Sequence, residues 1–148
     1  MTDAPTRILL IDDNAADIYL FRKALLHAEL VFDLTVIEDG GRAMAFVRGD
    51  GEYTGRQVPD IAIIDLNLPK NDGIQILEAI RAAERFAGMP VVVTSSSAAP
   101  SARLRAEHLL VARYITKPPD LDEFLRIGSA VKGILLESKA HGGRIQGS

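Results

Sequence analysis

The sequence predicts a doubly wound α/β fold: a five-stranded parallel sheet in the order 2-1-3-4-5 with five flanking helices. Three observations predict it. Five short apolar runs alternate with five stretches of helical periodicity. The runs are continuous rather than alternating, as strands covered by helices on both faces require. Several of them stop abruptly on chemically capable residues, Asp12, Asp65, Ser95 and Lys117, at the carboxyl edge where open α/β sheets bind ligands. The crossovers of such a sheet are right-handed.

The first strand, residues 7–11, runs through Ile8, Leu9, Leu10 and Ile11 and is cut off by Asp12, Asp13 and Asn14. Asn14 is a good N-cap, and Asp17 falls three residues on, near the positive end of the helix macrodipole, so a helix begins here. Ile18, Phe21, Ala24, Leu25 and Ala28 share its inward face. The second strand, 34–37, is ended by Glu38-Asp39-Gly40-Gly41, and Ala43, Phe46 and Val47 form the apolar face of a short second helix that stops at Gly49. Residues 49–59 hold three glycines, Tyr53 and no periodicity. They read as a long loop of the kind that is either functional or mobile.

The third strand is Ile61, Ala62, Ile63 and Ile64, and Asp65 sits at its carboxyl end. A lone aspartate there can equally well cap the following turn. Leu68-Pro69-Lys70-Asn71-Asp72-Gly73 is that turn, and Ile76, Leu77, Ile80 and Ala83 face inward from a third helix that ends before Gly88. The fourth strand, 90–93, runs into Thr94, Ser95, Ser96 and Ser97. A fourth helix over 101–110 carries Leu104, His108 and Leu109, and a fifth strand over 112–116 leads straight into Lys117-Pro118-Pro119. Asp120 caps a last helix whose apolar residues are Leu121, Phe124, Leu125, Ile127, Val131, Ile134 and Leu135. The division expected is an N-terminal tail at 1–6, one domain at 7–138 and a flexible C-terminal tail at 139–148. Leu26, Leu30, Leu110 and Leu136 fall off the inward stripes, as ordinary surface leucines or as an exposed apolar patch.

A chain of 148 residues suits one domain with a core of its own. It has no cysteine, which removes disulfides and thiolate metal sites. The net charge of −3 argues against non-specific nucleic-acid binding and against a polybasic membrane anchor. The polar N-terminus has no apolar signal core, and no run approaches the roughly 18 apolar residues of a membrane span. A cytoplasmic location is expected, with no nucleic-acid or membrane partner.

Strand order 2-1-3-4-5 makes the first and third strands neighbours, so Asp12, Asp13 and Asp65 converge in one shallow pocket. Like charges about 4 Å apart cost roughly 4 kcal/mol per pair at an effective dielectric of about 20, so a cation belongs there. A hard divalent ion suits all-oxygen ligands, and Mg²⁺ suits a site shared by carboxylates and a phosphate. Lys117 adds a fixed positive charge and Ser95 a hydroxyl donor, although Thr94 or Ser96 could fill that position. These parts fit transfer of a phosphoryl group onto a carboxylate, where the product adds about two negative charges. Catalysis of such transfers is mostly positioning and electrostatics. It needs no general base, in keeping with the lack of histidine near the strand ends.

This ordered set resembles the receiver domain of two-component response regulators, like the chemotaxis single-domain regulators, over about residues 7–137. The resemblance rests on Asp12-Asp13 after the first strand, Asp65, Ser95 thirty positions on, and Lys117 twenty-two beyond that, followed by Pro118. It implies a flavodoxin-like receiver in which Asp65 is the phosphoacceptor. Asp13 would bind Mg²⁺ directly, Asp12 through water, and Asn67 through its backbone carbonyl. Ser95 stands where the family has Ser or Thr, and Tyr114 stands at its aromatic switch position, against the plainer reading of a core aromatic. The Lys117-Pro118 peptide is often cis in such proteins, which would aim the lysine into the pocket. Asp65-Leu66-Asn67-Leu68-Pro69-Lys70-Asn71-Asp72-Gly73, with the loop at 49–59, looks narrower still: like the stand-alone regulators that partner bacterial phytochromes. Pro119 after Pro118 departs from the pattern and stiffens the start of the last helix.

The expectation is therefore a single-domain switch, not an enzyme beyond its own phosphorylation and dephosphorylation. A sensor histidine kinase, bacteriophytochrome or otherwise, would donate the phosphoryl group. Output would pass to a downstream protein or phosphotransfer partner, or through homodimerisation. Two other functions fit parts of the pattern. A Mg²⁺-dependent phosphatase would use Asp65 as nucleophile, but such enzymes commonly want a second acid two residues on, where this chain has Asn67. A receiver fold kept only as a scaffold would have no need of the intact acidic set.

Overall fold

The computed structural model describes residues 4–69, 73–96 and 100–146. Lys70, Asn71 and Asp72 of the predicted turn, Ser97 and the side chain of Leu104 lie outside the described residues, as do positions 1–3 and 147–148 of the two predicted tails. The elements in order are β1 (Thr6–Ile11), α1 (Ala15–His27), β2 (Phe32–Ile37), α2 (Gly40–Arg48), β3 (Ile61–Asp65), α3 (Gly73–Ala82), β4 (Val91–Ser95), α4 (Pro100–His108), β5 (Arg113–Thr116) and α5 (Leu121–Gln146). All five strands are parallel in one sheet of order β2-β1-β3-β4-β5, as the sequence predicts.

The continuous apolar runs have a direct structural cause. Successive strand residues point to opposite faces, and here each face carries its own helical layer. Leu9, Ile11, Ala62, Ile64, Val91 and Val93 pack with Phe46, Ile76, Leu77 and Phe86 beneath α2 and α3. Ile8, Leu10, Ile61, Ile63 and Val92 pack with Phe21, Leu25, Phe124 and Ile127 beneath α1 and α5. The outer strands β2 and β5 are only half-buried. The α1 and α5 helices pack closely: Phe21 and Phe124 meet edge to face at 5.0 Å, and a Cβ at Gly128 would overlap the Ala24 carbonyl.

Residues 49–59 are held more firmly than their composition predicts. Gly49 closes α2 at φ 74, in the left-handed region glycine favours, and buried Tyr53 meets the Phe46 ring edge to face at 5.3 Å. At the amino end of the sheet, Arg81 of α3 donates to the carbonyls of Leu109 (2.9 Å), Met89 (3.2 Å) and Leu110 (3.4 Å), tying the α4–β5 corner to α3. Leu26, Leu110 and Leu136 are exposed, whereas Leu30 is half-buried against the α1/α5 layer.

The C-terminal expectation needs correction. The sequence predicts frayed chain from Lys139, but α5 is helical to Gln146. An already nucleated helix adds one hydrogen bond per residue, and α5 runs on through Gly142 and Gly143. No helix among the described residues is long and apolar enough to cross a membrane.

Candidate functional site

The carboxyl edge of the sheet brings the predicted residues together. Asp12 follows β1, Asp65 ends β3, Ser95 ends β4 and Lys117 follows β5. Ligand oxygens of Asp12, Asp13 and Asp65 all lie within 4.8 Å of one another. Asp12 and Asp65 are buried and Asp13 is exposed, so the cluster is rooted in the core and open on one side.

Asp12 and Asp65 are built alike. Each turns back on its own chain: Asp12 Oδ1 accepts the Asn14 N–H at 2.9 Å, and Asp65 Oδ1 accepts the Asn67 N–H at 2.9 Å. This is the local bond that makes Asx residues favourable in turns. Each then offers Oδ2 to the Lys117 ammonium, at 2.9 Å from Asp12 and 3.2 Å from Asp65. On each strand-end aspartate, one oxygen therefore serves the turn and the other faces Lys117.

Lys117 is held from behind by its N–H, which donates to Ser95 O at 2.8 Å and extends the β4–β5 pairing. From that strand end its side chain crosses to Asp65 and Asp12 with a trans Lys117–Pro118 peptide, since no described peptide bond is cis. The expected cis bond is thus absent, the backbone pairing to Ser95 already aiming the lysine inward. A third carboxylate meets the ammonium at the shortest distance, Asp17 at 2.7 Å from the first turn of α1. Burial would push the Lys117 ammonium down, but the hydrogen bonds it donates to Asp17 and Asp12, with the charges of Asp12 and Asp65, outweigh it and hold it above the ordinary lysine range. Burial dominates at Asp12, whose carboxyl stands above the ordinary aspartate value despite the Asn14 N–H and Lys117.

Ser95 is buried, and its hydroxyl donates to Asn67 Oδ1 at 3.1 Å. The same amide oxygen accepts the Ser96 N–H at 2.9 Å and the Ser96 hydroxyl at 3.2 Å. The Asn67 side chain thus clamps the β3–α3 turn to the end of β4. Thr94 is fully buried, and among the described residues its hydroxyl has no hydrogen-bond partner. It pairs in register with Asp65. Tyr114 is half-buried on the α3/α4 side of β5, with the Arg103 guanidinium 5.5 Å from its ring centre.

Three contributors escape the motif. Asp17 was legible only as a residue favourable to the helix dipole, because its partner lies a hundred positions away. The Asn67 side chain was overshadowed by its backbone carbonyl. Gly73 opens α3 against the Asp65 turn so closely that a Cβ would overlap the Asp65 carbonyl oxygen. The signal available for it was a glycine at the start of a helix, which the turn alone explains.

The family model described as the response regulator receiver domain matches residues 8–127. Response regulator Rcp1 of Synechocystis sp. is 31% identical over 93% of this chain and 93% of its own length. The crystal structure of the phosphorylated cyanobacterial phytochrome response regulator RcpA superposes with a TM-score of 0.83 at 35% identity, covering 90% of this chain and 95% of that one. The Mn²⁺-bound form of Rcp1 gives 0.81 at 32% identity, covering 90% and 96%.

Proposed function

We propose a function from one premise: the chain belongs to the response regulator receiver family. It is a receiver-domain phosphoacceptor with an aspartate cluster poised for phosphorylation, and its chemistry is confined to gaining and losing its own phosphoryl group. The acceptor we assign is Asp65. The observation that carries this is its position at the end of the central strand, with Oδ2 3.2 Å from the Lys117 ammonium and its ligand oxygens clustered with those of Asp12 and Asp13.

A carboxylate oxygen of Asp65 attacks the phosphorus of a phosphohistidine. The new O–P bond forms as the N–P bond breaks, and the electron pair leaves with the imidazole of the donor. No proton has to be taken from the carboxylate, so no base is required of this chain. Lys117 supplies a fixed positive charge beside the oxygen that is phosphorylated. Ser95, released from Asn67, donates its hydroxyl to a phosphoryl oxygen, and Tyr114 repacks on the α4–β5 side in response. Such a local charge event acts at a distance through a two-state element.

The acidic cluster is able to coordinate a divalent metal, and its all-oxygen, partly open donor set suits Mg²⁺. Asp13, Asp12 and Asp65 with the Asn67 backbone carbonyl would hold it. When bound, the ion would neutralise charge shared by the acids and the incoming phosphoryl oxygens. The likeness to RcpA, a phytochrome response regulator, supports a phytochrome-type histidine kinase as donor. We assign residues 7–138 to the receiver body, Leu135 being the last buried residue of α5 among those whose burial is described.

The experiment is incubation with acetyl phosphate and Mg²⁺, read by intact mass. Wild type should gain one phosphoryl group and lose that gain with EDTA, while Asp65→Asn gains none. Equal labelling of the two proteins would overturn the assignment.

A further inference from the structure

Two overlapping sets of acids meet at this edge. The set that can hold an ion is Asp12, Asp13 and Asp65; the set that holds the Lys117 ammonium is Asp12, Asp17 and Asp65. Asp12 and Asp65 belong to both. Asp13 makes no ion pair with the lysine among those described, and Asp17 is no member of the ion cluster. Each cation therefore has one private acid and two shared ones.

The shared acids have little to spare. On both, Oδ1 accepts a backbone N–H and Oδ2 accepts the ammonium. A divalent cation drawn to Asp13 would compete with the lysine for the carboxylates of Asp12 and Asp65, and two cations at one carboxylate repel each other. The ammonium has three protons, and all three are engaged here. As it yields its bonds to Asp12 and Asp65, one bond survives: the 2.7 Å contact to Asp17, whose side chain is 22% exposed against 0% and 5% for Asp12 and Asp65. Asp17 sits on the first turn of α1, whose N-terminus is capped by the Asn14 side chain accepting the Asp17 N–H at 3.0 Å, so this anchor is carried by a helix rather than by a strand end.

We propose that Asp17 is a positioning residue that gives Lys117 a seat of its own, letting the lysine release Asp12 and Asp65 to a divalent ion while staying within reach of the phosphoryl group. The inference deepens the proposed function and rests on its ion site. Asp17 acts through Lys117 alone and touches neither the ion nor the phosphoryl group.

A double-mutant cycle tests it, with Mg²⁺ binding measured calorimetrically on wild type, Asp17→Asn, Lys117→Met and the double variant. With the lysine present, Asp17→Asn should weaken Mg²⁺ about tenfold, because the ammonium then falls back on the shared acids. With Lys117→Met in place, the same substitution should change affinity about twofold or less, the residue of a distant charge. Asp17→Glu should restore most of the affinity. An equal loss in both backgrounds would reduce Asp17 to a background charge and overturn the inference. Wild type that takes up no Mg²⁺ would bring down the ion site itself, and this inference with it; phosphorylation of Asp65 stands or falls separately by the acetyl phosphate experiment.

Discussion

The two ends of the sheet each hold a partly buried cation, and they treat it in opposite ways. At the amino end, Arg81 donates to the carbonyls of Leu109, Met89 and Leu110. Its partners are neutral, and burial alone holds its guanidinium below the ordinary arginine value. At the carboxyl end, Lys117 faces three carboxylates, and they hold its ammonium above the ordinary lysine range. The first arrangement is complete as it stands, a guanidinium stapling a corner. The second carries more acid than the lysine can neutralise, so it stays receptive to another cation. The difference separates a buried charge that serves stability from one that serves chemistry.

Lys117→Met should break the contrast most severely. Removing one partner from a buried ionic network typically costs about 3–5 kcal/mol, and millimolar Mg²⁺ should return much of that stability by binding the folded state. Arg81→Met should cost less, about 1–3 kcal/mol for the unpaired carbonyls it leaves, and Mg²⁺ should not repair it. Denaturant unfolding with and without the ion separates the two. If Mg²⁺ rescues both variants alike, the two ends do not differ in kind.

Gly73→Ala probes the carboxyl end without changing a charge. Its Cβ would overlap the Asp65 carbonyl oxygen and crowd the Leu66 Cα, so the β3–α3 turn must shift. Overpacking of this kind costs about 1–3 kcal/mol. Phosphorylation from acetyl phosphate should slow by more than tenfold while far-ultraviolet circular dichroism stays native. An unaffected rate would mean that the turn does not set the position of Asp65.

Asp12→Asn is the gentlest of the four and has the opposite sign. Burial holds the native Asp12 carboxyl above its ordinary value, so the folded protein binds that proton more tightly than the unfolded chain. Stability from this group is therefore present at low pH and lost as pH rises from the ordinary aspartate value through the raised native one. At pH 7 the wild type bears that penalty, and Asp12→Asn should be the more stable protein. The gap should close on acidification, as urea midpoints at pH 7 and near pH 4 would register. A variant less stable at pH 7 would mean that Asp12 is held there by its partners more than it is opposed by burial.

Much of the carboxyl end was legible in the sequence. Continuous runs such as Ile61 to Ile64 announced strands covered on both faces, and acids after β1 and β3 announced a site at their shared edge. The strand order then made Asp12, Asp13, Asp65, Ser95 and Lys117 neighbours, and they are. What remained hidden depends on long-range contact or on close approach of backbone. Asp17 looked like a first-turn acid until Lys117 arrived from the far end of the chain. Gly73 looked like a turn glycine until α3 met Asp65, and nothing in the sequence singled out Arg81, whose carbonyl partners come together only in the α4–β5 corner. The end of α5 was misjudged because composition marks where a helix loses its core contacts, not where its hydrogen bonds stop.

The most direct measurement is the site of the phosphoryl group itself. The protein would be phosphorylated with acetyl phosphate and Mg²⁺, the acyl phosphate reduced with borohydride, and the modified residue located by peptide mass spectrometry. The account predicts homoserine at position 65 and unmodified aspartate at positions 12, 13 and 17. Reduction at any of those three positions, with Asp65 left intact, would contradict it.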